Sequence, residues 1–128
     1  MKKLFFLLLF ASGLIGASAL HAQTPADMVV PITVTTNASP ASITLSFPAI
    51  PGATQTFIGR ILINETAWSF LALPGAATTF TDNSVVVGVG FEYIVVKVTP
   101  NIPTQRIGLV YAGIGVQPNL YRGKIVLV

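Results

Sequence analysis

The side chains in this sequence that could do chemistry are few and scattered. There are four carboxylates (Asp27, Glu65, Asp82 and Glu92), one histidine (His21) and no cysteine among 128 residues. Without cysteine there is no disulfide framework, no thiolate nucleophile and no Cys-based zinc or redox site. His21 falls inside a leader segment, so the rest of the chain has no imidazole for a Ser-His or Cys-His pair. A glycosidase needs two carboxyl groups facing one cleft, and the four here lie in four separate segments. Asp82 follows Phe80-Thr81 and precedes Asn83-Ser84, the setting of a turn acceptor for backbone N–H groups. That triplet is too thin for a calcium loop. Glu92 is placed on the outer face of a strand, solvated or paired with a neighbouring cation. Gly88-Val89-Gly90 lacks the following helix and lysine of a phosphate loop and reads as a turn. The expectation is a chain with no catalytic residue, no cofactor and no metal, and therefore not an enzyme.

The elements that carry these residues begin after a leader. Met1-Lys2-Lys3 is basic, Leu4 to Phe10 is unbroken apolar chain, and Ala11 to Ala22 turns small and mildly polar. This order is that of a secretory signal peptide with a bacterial look, cut after Ala22 or, as the second choice, Ala19. A membrane span needs roughly 20 apolar residues, and Ser12, Gly13, Gly16 and Ser18 dilute this one too soon. Removal of residues 1–22 leaves 106 residues and, with Lys2 and Lys3 gone, lowers the formal charge from +3 to +1. The remaining cations, Arg60, Lys97, Arg106, Arg122 and Lys124, are scattered. Nucleic-acid binding needs them clustered, so nucleic acid is excluded as a partner. The expected location is secreted, periplasmic or cell-surface, with no membrane span after cleavage.

About half of the shortened chain is still apolar, and its periodicity is that of strands. Ser42 to Phe47 alternates, with Ile43, Leu45 and Phe47 on one face and hydroxyls on the other. Ile32 to Thr35, Thr56 to Ile63, Trp68 to Leu73, Thr78 to Thr81, Val89 to Val98 and Ile107 to Ile114 supply further runs, separated by Pro, Gly, Asn and Asp. The pattern predicts an all-β chain, an antiparallel sandwich. A transmembrane barrel would want strands of about 9–11 residues with aromatic girdles, and most of these are shorter.

The order of these signals is similar to a fibronectin type III domain. Ile43-Thr44-Leu45-Ser46-Phe47-Pro48, Pro51-Gly52-Ala53, Ile58-x-Arg60, Trp68, Thr79-Phe80-Thr81-Asp82 and Gly90-Phe91-Glu92-Tyr93-x-Val95 carry the resemblance, over roughly Pro31 to Ile114. It implies an immunoglobulin-like sandwich over 31–115, after an extended segment 23–30 and before a linker and apolar end strand, 116–128. Two residues depart from the family. Phe47 stands where Trp is usual, and Phe91 stands where a tyrosine hydroxyl usually ties down the corner before the sixth strand. The expectation is a corner held by packing alone, and a Phe91→Tyr variant that gains about 1 kcal/mol on thermal melting.

Gly123 to Val128 is a nearly continuous apolar run, suited to an extra edge strand or to the first strand of a following α/β domain. The passage from Tyr111 is also similar to junctions at which a fibronectin-type domain precedes a caspase-like peptidase domain. Both faces of two neighbouring strands carry apolar residues, which implies an outer patch, and such patches mark interaction surfaces. The candidate surface is Ile58, Leu62, Trp68, Ile94, Val96 and Val98. Met28-Val29-Val30 is the segment able to cover it. Three functions follow: a spacer or adhesion-type module binding a protein or the next domain of the same polypeptide, a noncatalytic leader of a larger secreted hydrolase, or a carbohydrate-binding module using Trp68.

Overall fold

The computed structural model describes residues 25–116; the leader and the apolar end segment lie outside them. Seven strands form two antiparallel sheets: β1 (Thr33–Ala38), β2 (Ala41–Ser46), β3 (Gln55–Leu62), β4 (Ser69–Pro74), β5 (Thr79–Asp82), β6 (Gly90–Val98) and β7 (Gln105–Gly113). One sheet has the order β1-β2-β5 and the other β4-β3-β6-β7. This is the sandwich that the alternation predicts. Each strand expected within the described residues is present, and β1 runs on to Ala38 because its hairpin with β2 closes tightly, Ala38 opposite Ala41.

The period-2 pattern decides what each sheet buries. Ile43, Leu45 and Phe47 point inward as expected, at 0%, 0% and 5% exposure. They meet Ile58 of β3, Phe91, Tyr93 and Val95 of β6, and Val110 and Ala112 of β7 in one core cluster. Full burial of such a side chain contributes about 1.5–3 kcal/mol. The hydroxyl-rich side of β2 faces outward, where Thr44 and Thr81 share a cross-strand hydrogen bond of 3.0 Å.

The expected extended segment before Pro31 instead holds one short 3-10 turn, Pro25–Met28. Val29 then pairs in parallel with Ile107, and the Val30 N–H donates to the Ile107 carbonyl at 3.1 Å. Val30 is buried in the core while Met28 and Val29 stay about half exposed. The segment therefore joins the free side of β7 at Ile107 and does not serve as a lid on the outer face. Gly108 makes this possible, since a Cβ there would lie 2.1 Å from the Val30 carbonyl oxygen.

The corner before β6 departs from the expectation of packing alone. Gly88, at φ +89°, donates its N–H to the Ile114 carbonyl at 2.7 Å, and Val89 donates to Val86 at 3.2 Å. Backbone bonds do there what the missing hydroxyl of Phe91 cannot.

Candidate functional site

The inner side of the four-stranded sheet is not wholly apolar. β3 turns Thr56, Ile58, Arg60 and Leu62 inward, opposite Lys97, Val95, Tyr93 and Phe91 of β6. Ile58 and Val95 thus separate two polar stations. One is Arg60–Tyr93 with Asp82, at the end of β5. The other is Thr56–Lys97, against the turn after β4.

At the first station Asp82 receives four hydrogen bonds. Its Oδ1 accepts from the Ser84 N–H at 2.9 Å and the Ser84 hydroxyl at 2.7 Å. Its Oδ2 accepts from Arg60 at 2.7 Å and from the Tyr93 hydroxyl at 2.9 Å. The turn-acceptor role read from the sequence is present, and the ion pair and the tyrosine come in addition. Burial by itself raises a carboxyl's pKa, but the hydrogen bonds from Ser84, Arg60 and Tyr93 outweigh it and hold Asp82 below its ordinary value. The Tyr93 hydroxyl is pushed far up by burial and by the Asp82 charge, so it stays a donor. Arg60 also donates to the Ser84 hydroxyl at 2.5 Å and lies over the Phe91 ring, 5.2 Å from its centroid. Every lone pair of Asp82 is committed to a structural partner. An acid so tied, and held ionised, is poorly suited to give or take a proton.

At the second station Lys97 is wholly buried. Its Nζ donates to the carbonyls of Gly75 (3.0 Å) and Ala77 and sits 5.1 Å from the centroid of Phe47. No carboxylate is among these partners. Burial lowers its pKa. The alternation of β6 alone places Lys97 on the same side as Phe91, Tyr93 and Val95, and this is the signal in the sequence for a buried cation. Likewise an inward Tyr93 requires a partner for its hydroxyl. What periodicity lacks is the partner's identity, because Asp82 comes from the other sheet.

Of the expected surface residues, the structure brings together Trp68, Ile94, Val96 and Val98 but not Ile58 or Leu62. Ile58 is 2% exposed in the core, and Leu62 packs against that core. The correction has a simple cause. On an apolar strand both faces look alike, and register with β6 decides: Ile58 stands opposite the inward Val95. The outward residues of β3 are Phe57, Gly59 and Ile61, opposite Val96, Ile94 and Glu92. The neighbours on β4 are Ala72 and Phe70, and those on β7 are Ile107, Leu109 and Tyr111. The outer face is thus apolar across all four strands. Phe70 (60%), Leu109 (48%) and Ile107 (44%) are its most exposed members. Trp68 is half-buried and stacks on Phe70 with centroids 6.2 Å apart. Phe70 in turn lies over Gly59, where an added Cβ would meet its ring at 2.6 Å and Ile94 at 2.4 Å. Glu92 is outward as expected, and it bonds the Tyr111 hydroxyl, whose pKa is raised by burial and then by the Glu92 charge and hydrogen bond.

Between the edges of β4 and β5 lies a shallow cavity of about 180 Å³, lined by Ile58, Arg60, Ser69, Phe70, Leu71, Phe80, Asp82 and Ser84. The polar station forms one wall of it, and exposed Leu71 the other.

No family profile and no curated protein matches the sequence. Solved structures do. The fibronectin type III domain of the human collagen alpha-1(XX) chain, in solution, superposes with a TM-score of 0.57 at 9% identity, covering 83% of this chain and 94% of that one. A crystal structure of a fibronectin type III domain of human collagen XX gives 0.51 at 15% identity, over 64% of this chain and 86% of that one. A structure described as a myokine gives 0.52 at 14% identity, over 66% and 93%. The fold is therefore that of fibronectin type III domains, as the order of sequence signals implied.

Proposed function

We propose that this chain is a noncatalytic interaction and spacer module of a secreted bacterial protein, working through the outer face of its four-stranded sheet. The observation that carries the reading is that face. Side chains of β4, β3, β6 and β7 make it apolar over the full width of the sheet, and Phe70, Leu109 and Ile107 remain open on it. An apolar surface of this extent is a liability unless something covers it. The ionisable groups support the same reading. Arg60, Asp82 and Tyr93 bind one another, and Lys97 binds backbone carbonyls. Fibronectin type III folds are in general noncatalytic modules, which agrees with this inventory.

The secreted half of the proposal rests on the order of Lys2-Lys3, Leu4 to Phe10 and the small residues to Ala22. Expression of the full chain in a bacterial host, with fractionation and intact-mass measurement, tests it. The expected product is exported and lacks residues 1–22. An uncleaved product held in the cytoplasm would overturn the reading.

A further inference from the structure

Among the described residues four strand edges bound the two sheets, and they differ in what they offer. The edge of β7 is bridged at Ile107 by Val29 and Val30 of the same chain, and it carries the charged Arg106. β1, Thr-Val-Thr-Thr-Asn-Ala, is polar and almost wholly exposed, and β5 has four residues and ends in the ion-paired Asp82. β4 is different. Preceded by Trp68, it reads Ser-Phe-Leu-Ala-Leu-Pro from Ser69 to Pro74, with no charge, and among the described residues it pairs with β3 on one side only. Its outer backbone groups can be satisfied by another strand, and of the usual edge protections it has no lysine, bulge or inward charge but only Pro74 at its end.

We infer that β4 is the site at which two copies of this chain pair, antiparallel about a two-fold axis through Leu71, extending two four-stranded sheets into one of eight. The inference rests on the reading of this sheet as an interaction surface and names its partner. Three features favour a second copy over a foreign strand. A two-fold pairing sets Leu71 against itself and the residues on either side of it crosswise, and with no charge on β4 no like charges meet. With Leu71 opposite Leu71, Phe70 falls opposite Ala72 on the outer face, a large ring against a small side chain, and Trp68 falls opposite Pro74. The Trp68–Phe70 stack then continues across the junction as part of one apolar surface. Pro74 has no N–H and ends the ladder, which disfavours longer slipped registers. Pairing of two six-residue strands buries less than the roughly 1,200 Å² of a stable standard interface, so the dimer is weak and concentration-dependent.

The absence of cysteine makes the test clean. Opposite Cα atoms in an antiparallel pair lie about 4.5–5.5 Å apart, within the roughly 4.4–6.8 Å that a disulfide spans. Under mild oxidation the full chain carrying Leu71→Cys should form a covalent dimer at least about tenfold faster than one carrying Val86→Cys, because pairing raises the effective thiol concentration. Val86 is the more exposed of the two, at 61% against 49%, so accessibility alone favours the control. Sedimentation should show a dimer that Leu71→Lys abolishes and Ile102→Lys preserves, with circular dichroism showing both variants folded. Equal cross-linking, or self-association indifferent to Leu71→Lys, overturns the proposal. A monomer whose Trp68 emission shifts on adding an alternating apolar peptide also overturns it and assigns the edge to a foreign strand. The broader reading fails separately, if the dye anilinonaphthalene sulfonate ignores the face and Leu109→Lys leaves its fluorescence unchanged.

Discussion

Arg60 and Lys97 both point into the sandwich from neighbouring central strands, with Ile58 and Val95 between them, yet they are stabilised in opposite ways. Arg60 keeps about a third of its side chain in solvent and meets a buried carboxylate, with Tyr93 and Ser84 completing the shell around Asp82. Lys97 has no solvent and no carboxylate among its partners, only two carbonyls and the face of Phe47. The first is a network that fails as a unit when its anion is removed. The second is a cation held by dipoles, whose desolvation opposes its own contacts.

The largest effect expected from this contrast follows removal of the anion. Asp82→Ala leaves Arg60 without its partner and the Tyr93 hydroxyl buried without an acceptor. The expected loss is about 3 kcal/mol in urea unfolding, because breaking a buried pair costs more than the pair contributes. A loss under about 1 kcal/mol, the range of an exposed pair, would erase the distinction between the two stations. The pH dependence has a definite sign. With its folded pKa below 3.8, Asp82 contributes stability fully above the unfolded value, and that contribution is lost as pH falls through the folded one. Unfolding free energy should decline at the acid end in the parent and less so in Asp82→Asn.

How much of this was legible from residues alone can be seen strand by strand. β2 was read correctly to its faces because only one of them is apolar: Ile43, Leu45 and Phe47 against Ser42, Thr44 and Ser46. β3 was not, because Phe57 and Ile61 are as apolar as Ile58 and Leu62, and hydropathy cannot then choose the core side. Its register with β6 supplies the choice, and register is a long-range fact. The polar stations divide in the same way. Asp82 as a turn acceptor is local, written in Asp-Asn-Ser; its bonds to Arg60 and Tyr93 join two sheets and have no local signature. β4 looked like a short run with one notable Trp68, and only the strand order reveals it as the open apolar edge.

The two aromatic platforms should separate the stations next. Phe47 lies under a cation without solvent and Phe91 under one that is partly hydrated, at similar distances of 5.1 and 5.2 Å. Cation–π attraction runs from about 0.5–1 kcal/mol when exposed to about 2 when desolvated. A double-mutant cycle of Lys97→Met with Phe47→Leu should therefore give a coupling near 2 kcal/mol. Arg60→Met with Phe91→Leu should give less than half of that. Equal couplings would mean that distance, not desolvation, sets the strength here.

The smallest net effect belongs to Lys97→Met, although the side chain is the more deeply buried cation. The substitution removes two charge-assisted bonds and the contact with Phe47, and with them the cost of keeping an ammonium out of water; the Gly75 carbonyl still receives Thr56 at 3.4 Å. Large opposing terms of this kind commonly cancel when a hydrophobic residue of similar length takes the place of a buried charge. The expected change in unfolding free energy at neutral pH is under about 1 kcal/mol in either direction. Alkaline titration exposes the hidden term. Burial sets the folded pKa of Lys97 below 10.5, so between the folded and unfolded values the unfolded chain binds the extra proton. Stability contributed by this site therefore rises with pH across that window, and Lys97→Met should abolish the rise while leaving the acid limb of Asp82 in place. A parent whose pH dependence there equals that of Lys97→Met would mean that the carbonyls and Phe47 offset the desolvation of Lys97 completely, since Tyr93 and Tyr111, with raised pKa values, act alike in both.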